Sequence, residues 1–433
     1  MENIYEKFLQ CSAVSIDTRN CPKDAMFIGI KGANFDGNTF VEKALEQGCK
    51  YAITDNAEMG VGNPNIIHVQ DSLKTLQDLA HYHRMMFDIP VIGITGTNGK
   101  TTSKELISTV LSKEYNVLYT QGNLNNHIGV PLTLLRLNRS HNIAVVEMGA
   151  NHPKEIEFLC KIARPNYGII TNVGKAHLEG FGSFEGVKKT KGELYDFIKS
   201  VDGKIFLHAD NTHLMEMAGD IECIKYGEAD ENFVSGSIVS CTPYINVDLR
   251  LNGNASGEKQ SYSVATQLIG DYNLSNILSA ACIGRYFGVM DEDIVAALRE
   301  YTPNNNRSQC TKTESNTLIV DAYNANPTSM DAALRNFSKI EAASKALILG
   351  DMKELGEDSI MEHNKILALI KSLGFTKAYF VGSEFAKVAG SGFACFDNVE
   401  SLVEYFTQHP ISDSTILIKG SNSTRLTKIV DSL

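Results

Sequence analysis

Short apolar runs alternate along most of the chain with segments whose apolar residues recur at helical spacing. In residues 1–87, "DAMFIGIKG", "KYAIT" and "NIIHVQ" read as strands, while "TFVEKALEQG" and "SLKTLQDLAHYHRMMF" read as helices. Pro90 stands where a connection ends and the strand "VIGIT" begins. From there to residue 303 strand and helix take turns. "VIGIT" precedes a glycine loop and a helix opened by Lys100; "IAVVEMG" precedes "PKEIEFLCKIA", with Pro153 at a favourable helix start. "YGIITNV" leads through a polar loop to the helical stretch "EGVKKTKGELYDFIKS", and "KIFLHA" follows as another strand. Apolar strands without alternation, separated by amphipathic helices, predict a buried parallel sheet covered on both faces. Residues 221–269 differ, because "YINVDLRLNG" and "KQSYSVATQLIG" alternate around a turn and predict a small antiparallel addition. After the turn-rich "YTPNNNRSQ" the pattern restarts with "TLIVDAYN", "KALILGD", "KAYFVG", "FACFD" and "TILIKG". The pattern predicts an α/β protein of three domains, over residues 1–87, 88–303 and 304–433. The second and third are doubly wound, the third without a G-x-G-x-x-G fingerprint.

A chain of 433 residues with 43% hydrophobic and 21% charged content is globular and long enough for several cores. Its net charge of −11 argues against a general nucleic-acid or membrane-surface binder. The nine cysteines are scattered, with no C-x-x-C pair, which predicts reduced thiols rather than a disulfide framework or a zinc site. "MENIYEKFLQCSAVSIDTRN" has no basic start followed by an apolar run, and no span reaches membrane length. A cytoplasmic, monomeric protein with small-molecule partners is expected.

The stretch Gly93–Thr102, "GITGTNGKTT", is where chemistry enters. The usual phosphate loop reads G-x-x-x-x-G-K-S/T, and here Ile94 occupies the position of its first glycine. A strand, a Gly/Asn turn and Lys-Thr-Thr opening a helix are nevertheless what a phosphate cradle requires. Backbone N–H groups face inward, the helix N-terminus favours anions, Lys100 neutralises charge and Thr101 can ligate Mg²⁺. Beyond the carboxyl ends of the following strands stand Glu147, a candidate metal ligand, and His177. On residues alone, Glu147 is equally a helix-start carboxylate, a lone histidine is more often a packed side chain, and Lys191 is ordinarily a solvated helix lysine. ATP binding follows from the loop; the reaction stays open.

"GTNGKTT", "VVEMGANHP", "TNVGKAHLEGFGS", "KGELY" and "DAYNANPTSM", in this order and spacing, resemble the Mur ligases, whose own loop is the shorter G-x-x-G-K-S/T. The resemblance extends to "SIDTRN…FIGIKGANFDGNTF" near the start and so covers all three domains. It implies an N-terminal domain that holds the UDP end of a muramyl peptide, a central ATP-binding domain and a Rossmann-like C-terminal domain. Within the family, "NNHIGVPLTLL", "EMGANH", "NANPTSM" and "LGDMKELG" look most like the member that adds D-Ala-D-Ala to UDP-muramyl tripeptide. Carried over position by position, the resemblance implies that Gly96, Thr97, Asn98, Gly99, Lys100, Thr101 and Thr102 hold the ATP phosphates. Thr101 and Glu147 would bind one Mg²⁺; His177 and a carbamylated Lys191 would bind a second. Asn126 would lie near the reacting groups, Asn273 and Asn276 on the adenine side, Arg307 at the phosphates and Asp321 at the ribose. Asn324 and Asn326 would approach the transferred groups, and Thr18, Arg19, Asp36 and Gly37 the UDP end. Four positions depart from the family pattern: His127 for an acidic residue, Tyr272 for histidine, Asn306 for glycine and Asn422 for arginine. Two rival readings are a ligase that adds a single amino acid, to the muramyl peptide or to folate, and a regulatory nucleotide switch.

Overall fold

The computed structural model describes residues 1–252, 259–303, 307 and 309–433, which form three sheets. The first holds the strands Val14–Ser15, Met26–Ile28, Tyr51–Thr54 and Ile66–His68, side by side in chain order and all parallel. Val41–Glu46 and Ser72–Arg84 are the two helices expected there.

The second sheet has nine strands. Across it, from one edge to the other, run Lys259–Ile269, Tyr244–Asn252, Val234–Cys241, Cys223–Gly227, Lys204–His208, Tyr167–Ile170, Val91–Thr95, Ile143–Glu147 and Val117–Tyr119. The first two are antiparallel to their neighbours; the rest are parallel. The expected antiparallel addition is thus an extension of the main sheet rather than a separate layer. The burial pattern shows why the central strands read as unbroken apolar runs. Ala144 and Val146 enter one core with Leu134, Leu159 and Ile198, while Ile92, Ile94 and Val145 enter another with Leu106, Val110 and Ile277. Each strand must satisfy both faces, so alternation is lost.

The third sheet orders Gln309–Lys312, Asn316–Asp321, Ser414–Lys419, Lys345–Gly350, Ala378–Val381 and Ala394–Phe396, parallel except for the first. Four helices alternate with its parallel strands: Pro327–Lys339, Ser359–Ser372, Ser383–Ala389 and Val399–Gln408.

Two expectations need correcting. Pro153 does not open its helix, which runs Glu155–Ala163. Lys154 precedes it with φ 71°, its amide donating to Glu193 Oε1 at 2.8 Å, while the Glu157 amide donates to Glu193 Oε2 at 2.9 Å. A distant carboxylate therefore takes the first-turn donors and shifts the start. Cys21 and Cys49 are joined as a disulfide, against the expectation of a wholly reduced set. They precede the neighbouring strands Met26–Ile28 and Tyr51–Thr54, and that pairing brings together cysteines 28 residues apart. The edge strand Val117–Tyr119 and the helix Gly129–Leu134 are too short to announce themselves by period. Among the described residues no helix is long and apolar enough to cross a membrane.

Candidate active site

The chain leaves Val91–Thr95, places the next two strands on one side of it, then crosses to Tyr167–Ile170 on the other. Loops diverge at such a crossover, leaving a crevice beyond the strand ends. The phosphate loop, Glu147 and the His177 loop all stand at those carboxyl ends. One cavity of about 1170 Å³ opens there, lined by Lys100, Thr101, Glu147 and His177 from the second sheet and by Arg307 and Asp321 from the third unit.

The loop is shaped by glycines and braced from the next strand. Gly96 has φ 144°, and a Cβ there would sit 2.0 Å from Thr171 Oγ1; Gly99, at φ 79°, precedes the helix Lys100–Leu111. The Thr97 amide donates to Asn172 O (2.9 Å), the Asn98 amide to Asn172 Oδ1 (3.0 Å), and Thr171 Oγ1 to Asn98 O (2.6 Å). Gly96→Ala is expected to lower stability by about 1–3 kcal/mol through forced backbone and a displaced Thr171. It should also weaken ATP binding; thermal melts with and without ATP check both effects.

Lys100 Nζ donates to Gly96 O at 2.7 Å and Thr97 O at 3.1 Å. Enclosure by the loop pushes its ammonium down to about 8, with Glu147 acting in the opposite direction. Glu147 is 1% exposed and holds the centre. Its oxygens accept from Thr101 Oγ1 at 3.0 and 3.2 Å and from Asn125 Nδ2 at 2.8 Å, and Lys104 Nζ stands 4.0 Å away. The amide that touches Glu147 is therefore that of Asn125. Asn126 lines the cavity, but its Oδ1 accepts from the Ile128 and Gly129 amides in the turn that leads into the next helix.

Lys191, on the helix Phe184–Ser200, is 2% exposed, not a solvated helix lysine. Its Nζ donates to Ala150 O at 3.3 Å and lies 5.2 Å from the Phe181 ring centroid. Burial, and after it the charge of Lys100, hold its ammonium down to about 7. His177, with φ 51°, packs edge-on against the same Phe181 ring; its Nδ1 is buried and touches Glu354 Oε2, although the angle there is not that of a regular hydrogen bond.

On the adenine side named by the sequence, Asn276 Nδ2 donates to Asn273 Oδ1 (2.8 Å), Ser103 Oγ to Asn276 Oδ1 (3.0 Å), and Asn273 Nδ2 to Ile269 O (2.8 Å). From the third unit, the Arg307 guanidinium lies 4.0 Å over the Tyr323 ring, and its Nε is buried without a hydrogen-bond partner. Asp321 Oδ2 accepts from Lys419 Nζ at 2.5 Å, and Lys419 also reaches Asn324 O at 3.2 Å. Asn326 caps the helix Pro327–Lys339 and exchanges amide contacts with Asn98 at 2.8 and 3.4 Å. Lys104, Asn125, Asn172, Glu354 and Lys419 are contacts that the sequence reading missed; each meets its partner far along the chain.

Seven expected residues are not among those lining this cavity: Gly96, Lys191 and Asn326, which belong to the surrounding elements just described, and four residues of the first sheet's unit. Arg19 is paired to Asp17, whose carboxylate caps the turn Thr18–Asn20; Asp36 caps Gly37–Phe40 through the Asn38 amide. Thr18, Arg19, Asp36 and Gly37 thus shape two turns of the first sheet and do not line the cavity. Of the departures, His127 and Tyr272 line the cavity, Asn422 is exposed and does not, and Asn306 lies outside the described residues.

A phosphate loop, a buried carboxylate and a basic group contributed by a separate sheet fit an ATP-dependent ligase, and comparison with known proteins places the chain. Residues 10–84 match the model described as Mur ligase family, catalytic domain; 94–284 match Mur ligase middle domain; 306–422 match Mur ligase, glutamate ligase domain. The UDP-N-acetylmuramoyl-tripeptide--D-alanyl-D-alanine ligase of Bacillus subtilis (strain 168) is 33% identical over 97% of this chain and 92% of its own. The chain belongs to the Mur ligase family. The Escherichia coli (strain K12) protein of the same name is 31% identical over 97% of this chain and 93% of its own. The crystal structure of MurF from Acinetobacter baumannii superposes with a TM-score of 0.86 at 28% identity, covering 100% of this chain and 98% of that one. For a Mur ligase, the missing first glycine at Ile94 is no defect of the loop.

Proposed function

We propose that this Mur ligase joins D-Ala-D-Ala to the terminal carboxylate of UDP-N-acetylmuramoyl-tripeptide with ATP, giving the pentapeptide, ADP and phosphate for peptidoglycan synthesis. The observation that carries this reading is the chain-long similarity to an enzyme named for that reaction. The cavity geometry supports the chemistry.

A carboxylate is a poor acyl donor and must first be activated. A tripeptide carboxylate oxygen bonds to the γ-phosphorus of ATP as the bond to ADP breaks. The D-Ala-D-Ala amine then attacks the acyl phosphate, and phosphate leaves with its electron pair. Lys100 and the amides of residues 96–102 hold the phosphates, and Lys100 can release its loop carbonyls to do so. Arg307, whose buried Nε has no hydrogen-bond partner among the described residues, suits a phosphate oxygen. Asp321 serves the ribose, Asn273 and Asn276 the adenine side, and Asn126, Asn324 and Asn326 the transferred groups. Thr18, Arg19, Asp36 and Gly37 hold the UDP end.

Mg²⁺ takes one or two carboxylates plus phosphate oxygens and waters, and Thr101 with Glu147 supplies that donor set. Among the described residues no three His, Cys, Asp or Glu converge, and the donors we assign to a second ion are His177 and Lys191. An ammonium does not ligate a cation. Carbamylation of Lys191 replaces it by an anion with oxygen donors, and the second site fits Mg²⁺ in that form. Bound Mg²⁺ would neutralise charge on the reacting phosphates. ATP contacts divided between two sheet units imply that the third unit closes over the site and shields the acyl phosphate from water.

Offered D-Ala-D-Ala, meso-diaminopimelate, lysine and glutamate separately, with UDP-muramyl tripeptide and ATP, the protein should release ADP rapidly only with D-Ala-D-Ala. Mass spectrometry should find the pentapeptide. A single amino acid preferred over the dipeptide would overturn the assignment, and ADP release indifferent to the tripeptide would favour a nucleotide switch.

A further inference from the structure

The loop after Lys345–Gly350 carries a carboxylate that the reaction above leaves unused. Glu354 reaches out of the third sheet's unit, and its Oε2 meets His177 Nδ1 in the second. The contact is reinforced on both sides. The Glu179 amide donates to Glu354 O at 3.3 Å, the Lys175 amide to Thr328 Oγ1 at 3.1 Å, and Lys175 Nζ to Glu362 Oε1 at 3.0 Å. The segment 174–179 is thus held by three separate elements of the third unit. His177 and Glu354 also share an uncommon backbone state, with φ 51° and 62°, although neither is glycine. Two strained residues facing each other across a unit boundary mark a place where structure is maintained for function.

A carboxylate on one ring nitrogen of a histidine fixes the tautomer and aims the other nitrogen's lone pair. We infer that Glu354 is a positioning residue: it keeps the His177 proton on Nδ1 and leaves Nε2 free as a donor, and it does so only while the third unit is docked. Orientation of His177 is thereby coupled to closure. The inference rests on the proposed role of His177 as a cation ligand, but the tautomer can be read without metal or turnover.

Glu354→Gly is the variant of choice, since glycine adopts φ near 60° without strain and the loop path is retained. Glu354→Gln keeps the side-chain shape and an acceptor oxygen. In metal-free, ¹⁵N-histidine-labelled protein, long-range ¹H–¹⁵N spectra should show the Nδ1–H tautomer at His177 in the wild type. Glu354→Gly should lose that preference, and Glu354→Gln should retain part of it; a His177→Gln spectrum assigns the signal. With Mn²⁺ and a non-hydrolysable ATP analogue, electron paramagnetic resonance should report about 10–100-fold weaker Mn²⁺ binding in Glu354→Gly. Unchanged imidazole signals in a folded Glu354→Gly protein would overturn the positioning role. A wild type that failed to ligate D-Ala-D-Ala would instead overturn the proposed reaction and leave the tautomer result standing.

Discussion

Replacing Lys191 by alanine is expected to lower ligation on the order of 10²–10³-fold, the cost of removing one charged group aimed at a transition state. Acetate or formate should restore part of the loss. Burial is the starting point, because at 2% exposure a helix lysine gives up its hydration. It gains Ala150 O at 3.3 Å and a place over the Phe181 ring, 5.2 Å from its centroid, with Glu155 and Glu193 acting from further off. An ammonium so placed is poorly compensated, and its proton is held down to about 7. In the carbamylation we propose, the free amine would add to CO₂: a C–N bond would form, the amine proton would leave, and a carbamate anion would take the cation's place. A short carboxylate diffusing into the space left by alanine would supply the same charge. Lys191→Met separates chemistry from packing, since it fills the volume and leaves no polar atom to satisfy. Both variants should melt within a few degrees of wild type, and only alanine should respond to acetate. An alanine variant with full activity would remove Lys191 from the site.

How much of this was legible in the sequence follows from the range of each interaction. Local signals were readable. Apolar runs at Ile143–Glu147 and Tyr167–Ile170 marked buried strands, and the Gly/Asn turn before Lys100 marked the phosphate loop. Glu147 and His177 stood out as candidates because they follow strand ends, a rule of open α/β sheets, whereas Lys191 stood out only through the resemblance. What escaped were side chains defined by a partner far away. Asn125 and Asn126 are adjacent and chemically identical, and only the fold decides that the first reaches Glu147 while the second takes two amides of the following turn. Glu193 controls the start of a helix 38 residues earlier, and nothing in the local pattern around Pro153 records it. Lys104 reads as one more polar residue of an amphipathic helix until the strand ending in Glu147 covers it. Glu354 belongs to a turn whose purpose appears only when a second unit lies against it.

Glu147→Gln should produce two effects at once, loss of ligation and loss of stability, and Lys104 allows them to be separated. The carboxylate is the main counter-charge of a lysine that is itself 1% exposed, with Glu105 Oε1 at 3.7 Å and Gly122 O at 3.4 Å as its remaining neighbours. Burial lowers the Lys104 ammonium, and Glu147 is the first of the groups that oppose this. Glutamine keeps the shape and one acceptor for Thr101 and Asn125, but it leaves the ammonium with Glu105 alone. Breaking one side of a buried pair costs about 3–5 kcal/mol, and the surviving Glu105 places this case near about 3 kcal/mol. Ligation should fall on the order of 10²–10³-fold, because the only buried carboxylate beside Thr101 among the described residues is gone. In the double variant Glu147→Gln/Lys104→Met, the orphaned charge is removed together with its partner. Thermal or urea unfolding should then return most of the lost stability, while ligation stays at the level of Glu147→Gln. If the double variant recovered activity along with stability, Glu147 would be a structural counter-ion and not a group of the reacting site. If neither variant lost stability, the Lys104 charge would be carried by Glu105 alone.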